Sequence, residues 1–271
     1  MSNSGKPKAW LAPELGVAGD EFAFVESLDG DVYRAMPDRT TLRFERKGRG
    51  YFLKFHKGVG WKEIAKNLVA LRPPILGADN ELAAVELLGA NGVDTMVAAG
   101  FGRRGRNPAT RQSFLITQEI ADAPSLEDVT ANWGEVAPPP VVKRRLIKRI
   151  ATQVGRMHAL GVNHRDLYLC HFLLRGGDLE RAELALIDLH RAQIRSSVPA
   201  RWRCKDLAAL YSSAAHITLT KRDYYRFLVD YYNKPLGEIL RQKRHELLQI
   251  HKLGEKLRIK YLRKYQPVAP S

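Results

Sequence analysis

The sequence predicts an α+β fold in which a small, strand-rich lobe precedes a larger, helix-rich lobe. Two observations support this. Short runs with the alternating or β-branched pattern of strands cluster early in the chain, whereas later segments are long and amphipathic at helical spacing. The 271 residues, 45% of them hydrophobic, are enough for one large or two small cores. We place the lobes at residues 1–120 and 121–271.

The first lobe is predicted to contain an antiparallel sheet. Three strand-like runs open it, and a fourth strand is predicted at 113–120: FAFVESL, TLRFERKG, YFLKFH and SFLITQEI. The letters KGRG between the second and third runs are typical of a tight hairpin turn, because glycine tolerates a positive φ. The middle of GVGWKEIAKNL is amphipathic at helical spacing, and ADNELAAVELLGANG is predicted to be a capped helix.

The second lobe is predicted to be mostly helical. VVKRRLIKRIATQVGRMHALG places apolar residues on one face and lysine or arginine on the other. The segments KDLAALYSSAAH and RDYYRFLVDYYN predict further helices. Two short apolar runs, HFLLR and LALIDL, have the length of strands and are separated by GGDLERAE.

The chemistry-bearing residues occur in the order found in protein kinases, which suggests phosphoryl transfer. Lys54 lies in an apolar strand run, where its ammonium can face a cleft and hold nucleotide phosphates. Glu81 opens the next helix and is the predicted ion-pair partner of Lys54. Glu86 is the competing partner, but Glu81 precedes the buried face of the helix. A surface lysine in a strand is the alternative for Lys54.

Two carboxylates complete this arrangement. Asp166, in the triplet HRD, is the predicted catalytic residue, because it can orient and deprotonate an acceptor hydroxyl. Asp188 follows an apolar strand at the position of the kinase D-F-G aspartate and is predicted to bind Mg²⁺. His171, five residues after Asp166, takes the place of a metal-binding asparagine. Its neutral imidazole can still bind a metal, although it is a softer ligand than an amide oxygen.

Three further residues are predicted to support the site rather than to react. His164 would pack and form hydrogen bonds within the loop, Arg165 could steer a phosphate or pair with an acid, and Asp206 would brace the loop from the start of a helix. A zinc site of His164, Cys170 and His171 is disfavoured, because their spacing differs from the usual pairs. Cys170, in an apolar frame, is predicted to be a small buried residue rather than a nucleophile.

Most of the chain, from about residue 20 to 265, resembles the lipopolysaccharide core heptose kinases of Gram-negative bacteria. The segments that carry this resemblance are YFLKFHKGVGWKEIAKNL, GADNELAAVELL, HRDLYLCHFLL and LALIDLHRAQ. HRD alone occurs in many kinases, whereas the extended strings are more specific. The resemblance implies a protein-kinase-like bilobal fold, with a nucleotide-binding N-terminal lobe and a catalytic C-terminal lobe. It also implies transfer of the ATP γ-phosphate to O4 of the first heptose in the inner core.

The same resemblance assigns adenine binding to backbone groups of a hinge. Thr117, Gln118, Glu119 and Ile120 occupy that place. One departure from protein kinases is that no G-x-G-x-x-G lies between the first strands, where AMPDRTT stands instead. Basic side chains such as Arg39 or Arg43 are candidates to replace its contacts with the phosphates.

The net charge of +15 favours an anionic partner. The segment 239–265 is the most basic, with nine lysine or arginine residues against two glutamates. It is predicted to bind an anionic membrane surface or an acidic protein, or to be a final helix packed on the second lobe. With two cysteines, no apolar run of membrane-spanning length and no secretory signal in MSNSGKPKAW, we expect a cytoplasmic protein, with peripheral binding to the inner membrane as one option.

Two alternatives stay open at this point. A kinase that phosphorylates the Kdo sugar would have the same active-site residues, because acceptor choice depends on pocket shape. A non-catalytic kinase-like module that binds an anionic partner is disfavoured by the joint presence of Lys54, Asp166 and Asp188. We expect no nucleic acid partner, because few aromatic residues accompany the basic ones.

Overall fold

The computed structural model describes residues 9–69 and 77–265. They form two compact units, which we describe separately. Unit 1 comprises the described part of Met1–Ala90 with Met96–Ala121 and Leu189–Arg191, and unit 2 comprises Asn91–Thr95, Asp122–Asp188 and the described part of Ala192–Ser271. No helix within these ranges is both long and apolar enough to cross a membrane.

Unit 1 is built on one six-stranded antiparallel sheet. Its strands are β1 (Ala9–Leu11), β2 (Asp31–Ala35), β3 (Arg39–Arg46), β4 (Arg49–His56), β5 (Ala98–Arg104) and β6 (Gln112–Gln118), in the spatial order β1-β5-β6-β4-β3-β2. Alternate residues of the central strands, among them Leu53, Phe114 and Ile116, are buried in the core of this unit. The strands predicted at TLRFERKG, YFLKFH and SFLITQEI are confirmed.

The turn between β3 and β4 follows the sequence prediction. Lys47 and Gly48 both have positive φ, at 49° and 71°. Two successive left-handed residues make the tight turn that matches the twist of a hairpin. The resulting register pairs Lys54 with Thr41 on one side and with Leu115 of β6 on the other. Lys54 is therefore held by central strands of the sheet.

The prediction of a strand at FAFVESL is wrong, because this segment is the helix α1 (Glu21–Glu26). The Asp20 carboxylate caps the helix by accepting hydrogen bonds from the backbone N–H groups of Phe22, at 2.8 Å, and Ala23, at 3.2 Å. Phe22 and Val25 are buried at a helical spacing of three residues. The predicted helices of unit 1 are confirmed as α2 (Gly60–Val69) and α3 (Asp79–Ala90).

Unit 2 consists mainly of helices. They are α4 (Leu126–Val129), α5 (Pro140–Ala159), α6 (Ala200–Ser213), α7 (Lys221–Tyr232), α8 (Leu236–Gln242) and α9 (Arg244–Tyr265). The apolar face of α5 is buried, as its sequence pattern predicts, with Leu146, Ile150 and Val154 inside the unit. The fold class predicted from the sequence is confirmed, with a sheet-based unit and a helical unit.

Four short strands of unit 2 flank the loops that contain the predicted catalytic residues. Strand β7 (Val162–Asn163) pairs with β10 (Gln193–Ile194), and β8 (Phe172–Leu174) pairs with β9 (Leu184–Leu186). The apolar runs HFLLR and LALIDL are thus confirmed as a small antiparallel pair. Residues 164–171 connect β7 to β8, and residues 187 and 188 follow β9, so both predicted catalytic segments begin or end at a strand.

The basic C-terminal segment 239–265 spans two helices, and its longer part packs on α6. Arg203 of α6 forms two hydrogen bonds with the Glu246 carboxylate of α9, at 2.9 and 3.0 Å. Tyr211 donates to Glu255 at 2.8 Å, and Gly254 lies where a Cβ would be 2.3 Å from the Tyr211 ring. The absence of a side chain at Gly254 therefore permits the close approach of these two helices.

Candidate active site

In unit 1 the Lys54 ammonium lies 2.6 Å from a Glu81 carboxylate oxygen. Glu81 begins α3 and is buried, with 1% of its side chain exposed, while Lys54 keeps 16% of its side chain exposed. The carboxylate thus fixes the ammonium of a side chain that is not fully buried. This is the ion pair that the sequence predicts. The role of the pair in nucleotide binding stays a prediction.

His56, two residues beyond Lys54 on β4, is a neutral side chain. Burial, reinforced by the positive charges of Arg39 and Lys54, lowers its pKa from 6.5 to about 4. A protonated imidazole here would repel the lysine ammonium in a poorly solvated environment. At neutral pH the charge of this part of the strand therefore belongs to Lys54.

The predicted hinge residues differ in how their backbones are used. The N–H groups of Gln118 and Glu119 donate to the carbonyl groups of Val97 and Gly50, at 2.8 and 2.9 Å. Their N–H groups are therefore engaged within unit 1, whereas no backbone hydrogen bond within the described residues involves the Ile120 N–H group. Among the predicted hinge residues, Ile120 is thus the one whose N–H group could donate to a ligand, and its role in adenine binding stays a prediction.

The Glu119 side chain is held by Arg43, which donates two hydrogen bonds of 2.8 Å to its carboxylate. These hydrogen bonds raise the pKa of Arg43. A Cβ at Gly50 would collide with the Glu119 carboxylate, at 1.6 Å, so glycine makes room for this pair. Arg43 is thus committed to Glu119, which argues against its predicted alternative role beside the nucleotide phosphates.

The backbone of the HRD loop in unit 2 is fixed by hydrogen bonds to the Asp206 side chain. Its two carboxylate oxygens accept hydrogen bonds from the backbone N–H groups of His164, at 2.7 Å, and Arg165, at 2.8 Å. Arg165 has a φ of 75°, a conformation that costs energy for a side-chain-bearing residue. The buried carboxylate stabilises this bend, which precedes Asp166 directly. Asp206 lies in the interior of α6, and the prediction that it starts the helix is wrong.

His164 forms hydrogen bonds with both segments that carry the predicted catalytic and metal-binding aspartates, Asp166 and Asp188. Its Nδ1 accepts a 3.3 Å hydrogen bond from the Asp166 N–H group, and its Nε2 lies 2.9 Å from the Ile187 carbonyl. Since Nδ1 accepts, the proton is on Nε2, which donates to that carbonyl. Burial lowers the pKa of His164, which agrees with a neutral ring. His164 therefore fixes the backbone at Asp166 and next to Asp188.

His171 connects Asp166 with Asp188. Its Nδ1 lies 2.7 Å from the Asp166 carbonyl oxygen, to which it donates, so the Nε2 lone pair is left for another partner. That Nε2 lies 3.5 Å from an Asp188 carboxylate oxygen. Asp188 itself has a φ of 60°. A carboxylate oxygen and an imidazole nitrogen at this separation could share one divalent cation.

The zinc and thiol alternatives have no geometric support. Both ring nitrogens of His164 are engaged in hydrogen bonds, so it cannot bind a metal. Within the described ranges no group of three or more histidine, cysteine, aspartate or glutamate side chains is arranged to hold a metal ion. Burial raises the pKa of Cys170 to about 11, so this thiol stays protonated and is a poor nucleophile.

A family model described as the lipopolysaccharide kinase (Kdo/WaaP) family matches residues 24–231. The chain belongs to this family. Two similar proteins are both named lipopolysaccharide core heptose(I) kinase WaaP. The one from Escherichia coli is 50% identical over 248 residues, 90% of this chain and 94% of its own length. The one from Pseudomonas aeruginosa is 50% identical over 241 residues, which cover 88% of this chain and 90% of that protein.

A solved structure, described as WaaP in complex with acyl carrier protein, is similar to this member of the Kdo/WaaP family. It has a TM-score of 0.81 and 44% sequence identity, and the match covers 93% of this chain and 99% of that one. The resemblance inferred from the sequence is confirmed by these relatives. The individual roles of the site residues remain predictions.

The structure of this Kdo/WaaP kinase also contains a support that sequence reasoning missed. His158 lies 3.2 Å from Asp206 through Nε2 and 2.7 Å from the Tyr231 hydroxyl through Nδ1. Asp206 is thus tied to α5 and, through His158, to α7. The available signal was His158 itself, a polar residue four positions after Val154 on the apolar face of α5. A buried histidine of that kind needs hydrogen-bond partners.

Proposed function

We propose that the chain transfers the γ-phosphoryl group of ATP to O4 of the first heptose of the lipopolysaccharide inner core. The observation that carries this proposal is the series of contacts from the Asp166 carbonyl through His171 to the Asp188 carboxylate, at 2.7 and 3.5 Å. It joins a candidate base to a candidate metal ligand within one unit. The names of the two relatives, both heptose(I) kinases, support the same substrate.

In the proposed reaction Asp166 orients the heptose hydroxyl and accepts its proton. The hydroxyl oxygen forms a new bond to the γ-phosphorus, the bond from that phosphorus to the β-phosphate oxygen breaks, and ADP leaves. Lys54, held by Glu81, would neutralise phosphate charge. In this proposal residues 1–120 bind the nucleotide and residues 121–271 supply the catalytic groups. The backbone of Ile120 would contact adenine.

Asp188 and His171 are the residues that would hold Mg²⁺. The carboxylate is a hard oxygen ligand of the kind this cation prefers, and the imidazole nitrogen is a softer addition. Both side chains are partly exposed, at 30% and 20%, so a ligand can reach them. When bound, the cation would spread the negative charge of the phosphates.

The choice of heptose over Kdo is tested with two acceptors. One lipid-linked core ends at Kdo and the other at the first heptose, and each is incubated with the chain and radiolabelled ATP. We expect label on the heptose-terminated core alone, at a position that nuclear magnetic resonance identifies as O4. Label on the Kdo-terminated core would instead support the Kdo kinase alternative.

An acyl carrier protein is the proposed protein partner, since the similar solved structure contains one. Unit 2 contains a partly open cavity of about 420 Å³ whose lining is almost entirely apolar. Its walls come from α5, α6, α7 and α9, and they include Ile150, Leu210, Phe227 and Leu247. An acyl chain would bury its apolar surface there.

We also propose a cytoplasmic site of action, at the membrane face where the lipid-linked acceptor lies.

The partner proposal is tested by titrating the chain with carrier protein bearing a long acyl chain and with carrier protein lacking one. If the cavity binds the acyl chain, the acylated carrier protein should raise the thermal midpoint of unfolding of the kinase more than the carrier protein without an acyl chain does. The variant Ile150→Asp, which places a charge against the cavity, should abolish the difference. Equal effects of the two carrier proteins on the unmodified chain would contradict this use of the cavity.

A further inference from the structure

Four cationic side chains of unit 2 surround the indole ring of Trp202. The Lys205 ammonium lies 4.5 Å from the ring centroid, and the guanidinium carbons of Arg201, Arg195 and Arg165 lie 5.2, 5.6 and 5.7 Å from it. We call these five residues the Trp202 cluster. Each cation is within reach of a cation–π contact. All four cationic groups nevertheless lie within 5.7 Å of the same ring centroid, and like charges gathered this closely repel one another.

Several donors at and beside this cluster lack an anionic acceptor in the part of the chain that the structure describes. Arg195 donates to the side-chain amide oxygens of Asn163, at 2.6 Å, and Gln193, at 2.7 Å, which are neutral acceptors. No carboxylate of the described residues lies within ion-pair distance of Arg201 or Lys205. The indole Nε1–H of Trp202 and the amide Nδ2–H₂ of Asn163 are buried and have no hydrogen-bond partner in the described structure. Buried donors of this kind normally meet an acceptor.

The local backbone adds to the positive potential. Trp202 and Arg201 lie in the first turn of α6, a helix of 14 residues, and this turn contains no acidic residue. The preceding Pro199 provides no side-chain cap. Helix N-termini carry partial positive charge, so lysine and arginine are unfavourable there unless an anion is also present. Arg201 therefore lies at the positive end of the helix without an acid in its own turn, and the nearby Asp206 carboxylate of α6 is buried and accepts hydrogen bonds from the His164 and Arg165 N–H groups.

The cluster also adjoins the proposed reaction centre. Arg165 directly precedes Asp166, and its backbone is fixed by the 2.8 Å hydrogen bond to Asp206. Asp206 belongs to the same helix as Trp202 and Lys205. The cluster therefore includes the residue that directly precedes Asp166, and the carboxylate that fixes this residue belongs to the helix that carries the rest of the cluster's aromatic and lysine side chains.

We propose that the Trp202 cluster binds an oxyanion of the acceptor, a carboxylate or a phosphate close to the hydroxyl that is phosphorylated. This inference rests on the proposed kinase function and adds how the acceptor is recognised. The planar guanidinium groups offer paired N–H donors that match either oxyanion. The anion would offset the repulsion among the cations. Nearness to Asp166 would make this contact position the sugar rather than the nucleotide.

The test compares the unmodified chain with the double variant Arg201→Gln/Lys205→Gln. Both side chains are exposed, so we expect the variant to fold, and thermal unfolding checks this. The matched control is Lys148→Gln/Arg149→Gln, which removes the same charge from an exposed face of α5. The acceptor is the lipid-linked, heptose-terminated core in three forms: intact, with its carboxylates reduced to alcohols, and with its existing phosphates removed.

With the intact acceptor, we expect the Trp202-cluster variant to raise the acceptor KM by about tenfold or more, as loss of charge-assisted contacts does. The ATP KM should stay within about twofold, and the control should resemble the unmodified chain. For one of the two altered acceptors, the unmodified chain should have a higher acceptor KM than it has for the intact acceptor. With that altered acceptor, the KM values of the unmodified chain and of the variant should be the same. That acceptor identifies the oxyanion as carboxylate or phosphate.

Two results would overturn the inference. One is an acceptor KM for the variant equal to that of the control, and the other is the same loss with all three acceptors. The single variant Trp202→Phe, which keeps a ring but removes the indole donor, provides a second check and should raise the acceptor KM by a smaller factor. A failure of the unmodified chain to phosphorylate the intact acceptor would tell against the proposed function instead, so the two failures are distinguishable.

Discussion

At the scale of single residues, the replacement of a kinase asparagine by His171 is the feature with the clearest chemical consequence. The residue has two tasks, since Nδ1 donates to the Asp166 carbonyl and Nε2 faces Asp188. An asparagine has a shorter side chain and offers an oxygen rather than a nitrogen. A softer nitrogen ligand favours transition metals over Mg²⁺.

We therefore expect His171→Asn to remain active and to lower the ratio of activity with Mn²⁺ to activity with Mg²⁺. His171→Ala should lose about 10- to 100-fold in activity with either metal, since it removes both contacts. Steady-state rates at matched metal concentrations measure these effects. An unchanged metal ratio in His171→Asn would show that His171 is not a metal ligand.

Sequence reasoning at this scale predicted the charged residues of the site and some of their supports, and it missed other residues that hold these supports in place. Lys54, Glu81, Asp166 and Asp188 were predicted from their order and from the elements that carry them. His158 and Tyr231 were not, because they come together only through the packing of α5 and α7. The pairing of Arg43 with Glu119 likewise depends on strand register and on a glycine at position 50.

At the scale of elements, α6 organises the reaction centre. It places Asp206 beneath the HRD loop and Trp202 with Lys205 beside Arg165. The helix was predicted from the sequence, but its start was placed too late, because the N-cap residue Pro199 offers no capping side chain. Strand β5 was not predicted, since its glycines interrupt the strand pattern. The sequence of α1 predicts a strand, because most of its six residues are apolar or aromatic, whereas the structure has a helix there.

The role of α6 is tested by Asp206→Asn. The amide keeps one acceptor but turns a donor towards backbone N–H groups, so at least one buried hydrogen bond is lost. We expect a loss of about 1–3 kcal/mol in the free energy of unfolding. We also expect kcat to fall by at least about tenfold, with little change in the ATP KM. Denaturant unfolding and steady-state kinetics measure both.

Asp230→Asn on α7 is the matched control, because it makes the same chemical change in the same unit without touching the HRD loop. Its stability and kcat should stay near those of the unmodified chain. A kcat unchanged in Asp206→Asn would contradict a bracing role for this residue, whatever the effect on stability.

At the scale of the whole molecule, stability should depend on pH through two buried histidines. Burial lowers the pKa of His56 to about 4 and also lowers that of His164. Both are neutral in the folded chain, whereas the unfolded chain binds protons below about pH 6.5. The free energy of unfolding should therefore fall as the pH drops from about 6.5 towards 4, by about 1.4 kcal/mol per pH unit for each histidine that stays neutral.

Urea unfolding at a series of pH values measures this slope. His56→Gln removes one titrating group, so it should reduce the slope between pH 6 and 4.5 by about the contribution of one histidine. A slope equal to that of the unmodified chain would show that His56 is not buried in its neutral form.

The central claim, that this chain is a lipopolysaccharide heptose kinase with Asp166 as its base, is tested most directly by one measurement. Phosphate transfer from ATP to the heptose-terminated core is followed by mass spectrometry for the unmodified chain and for Asp166→Asn, with circular dichroism to verify folding. We predict a product one phosphate heavier with the unmodified chain and a rate at least about 10²-fold lower with the variant. Equal rates from the two folded proteins would contradict the account.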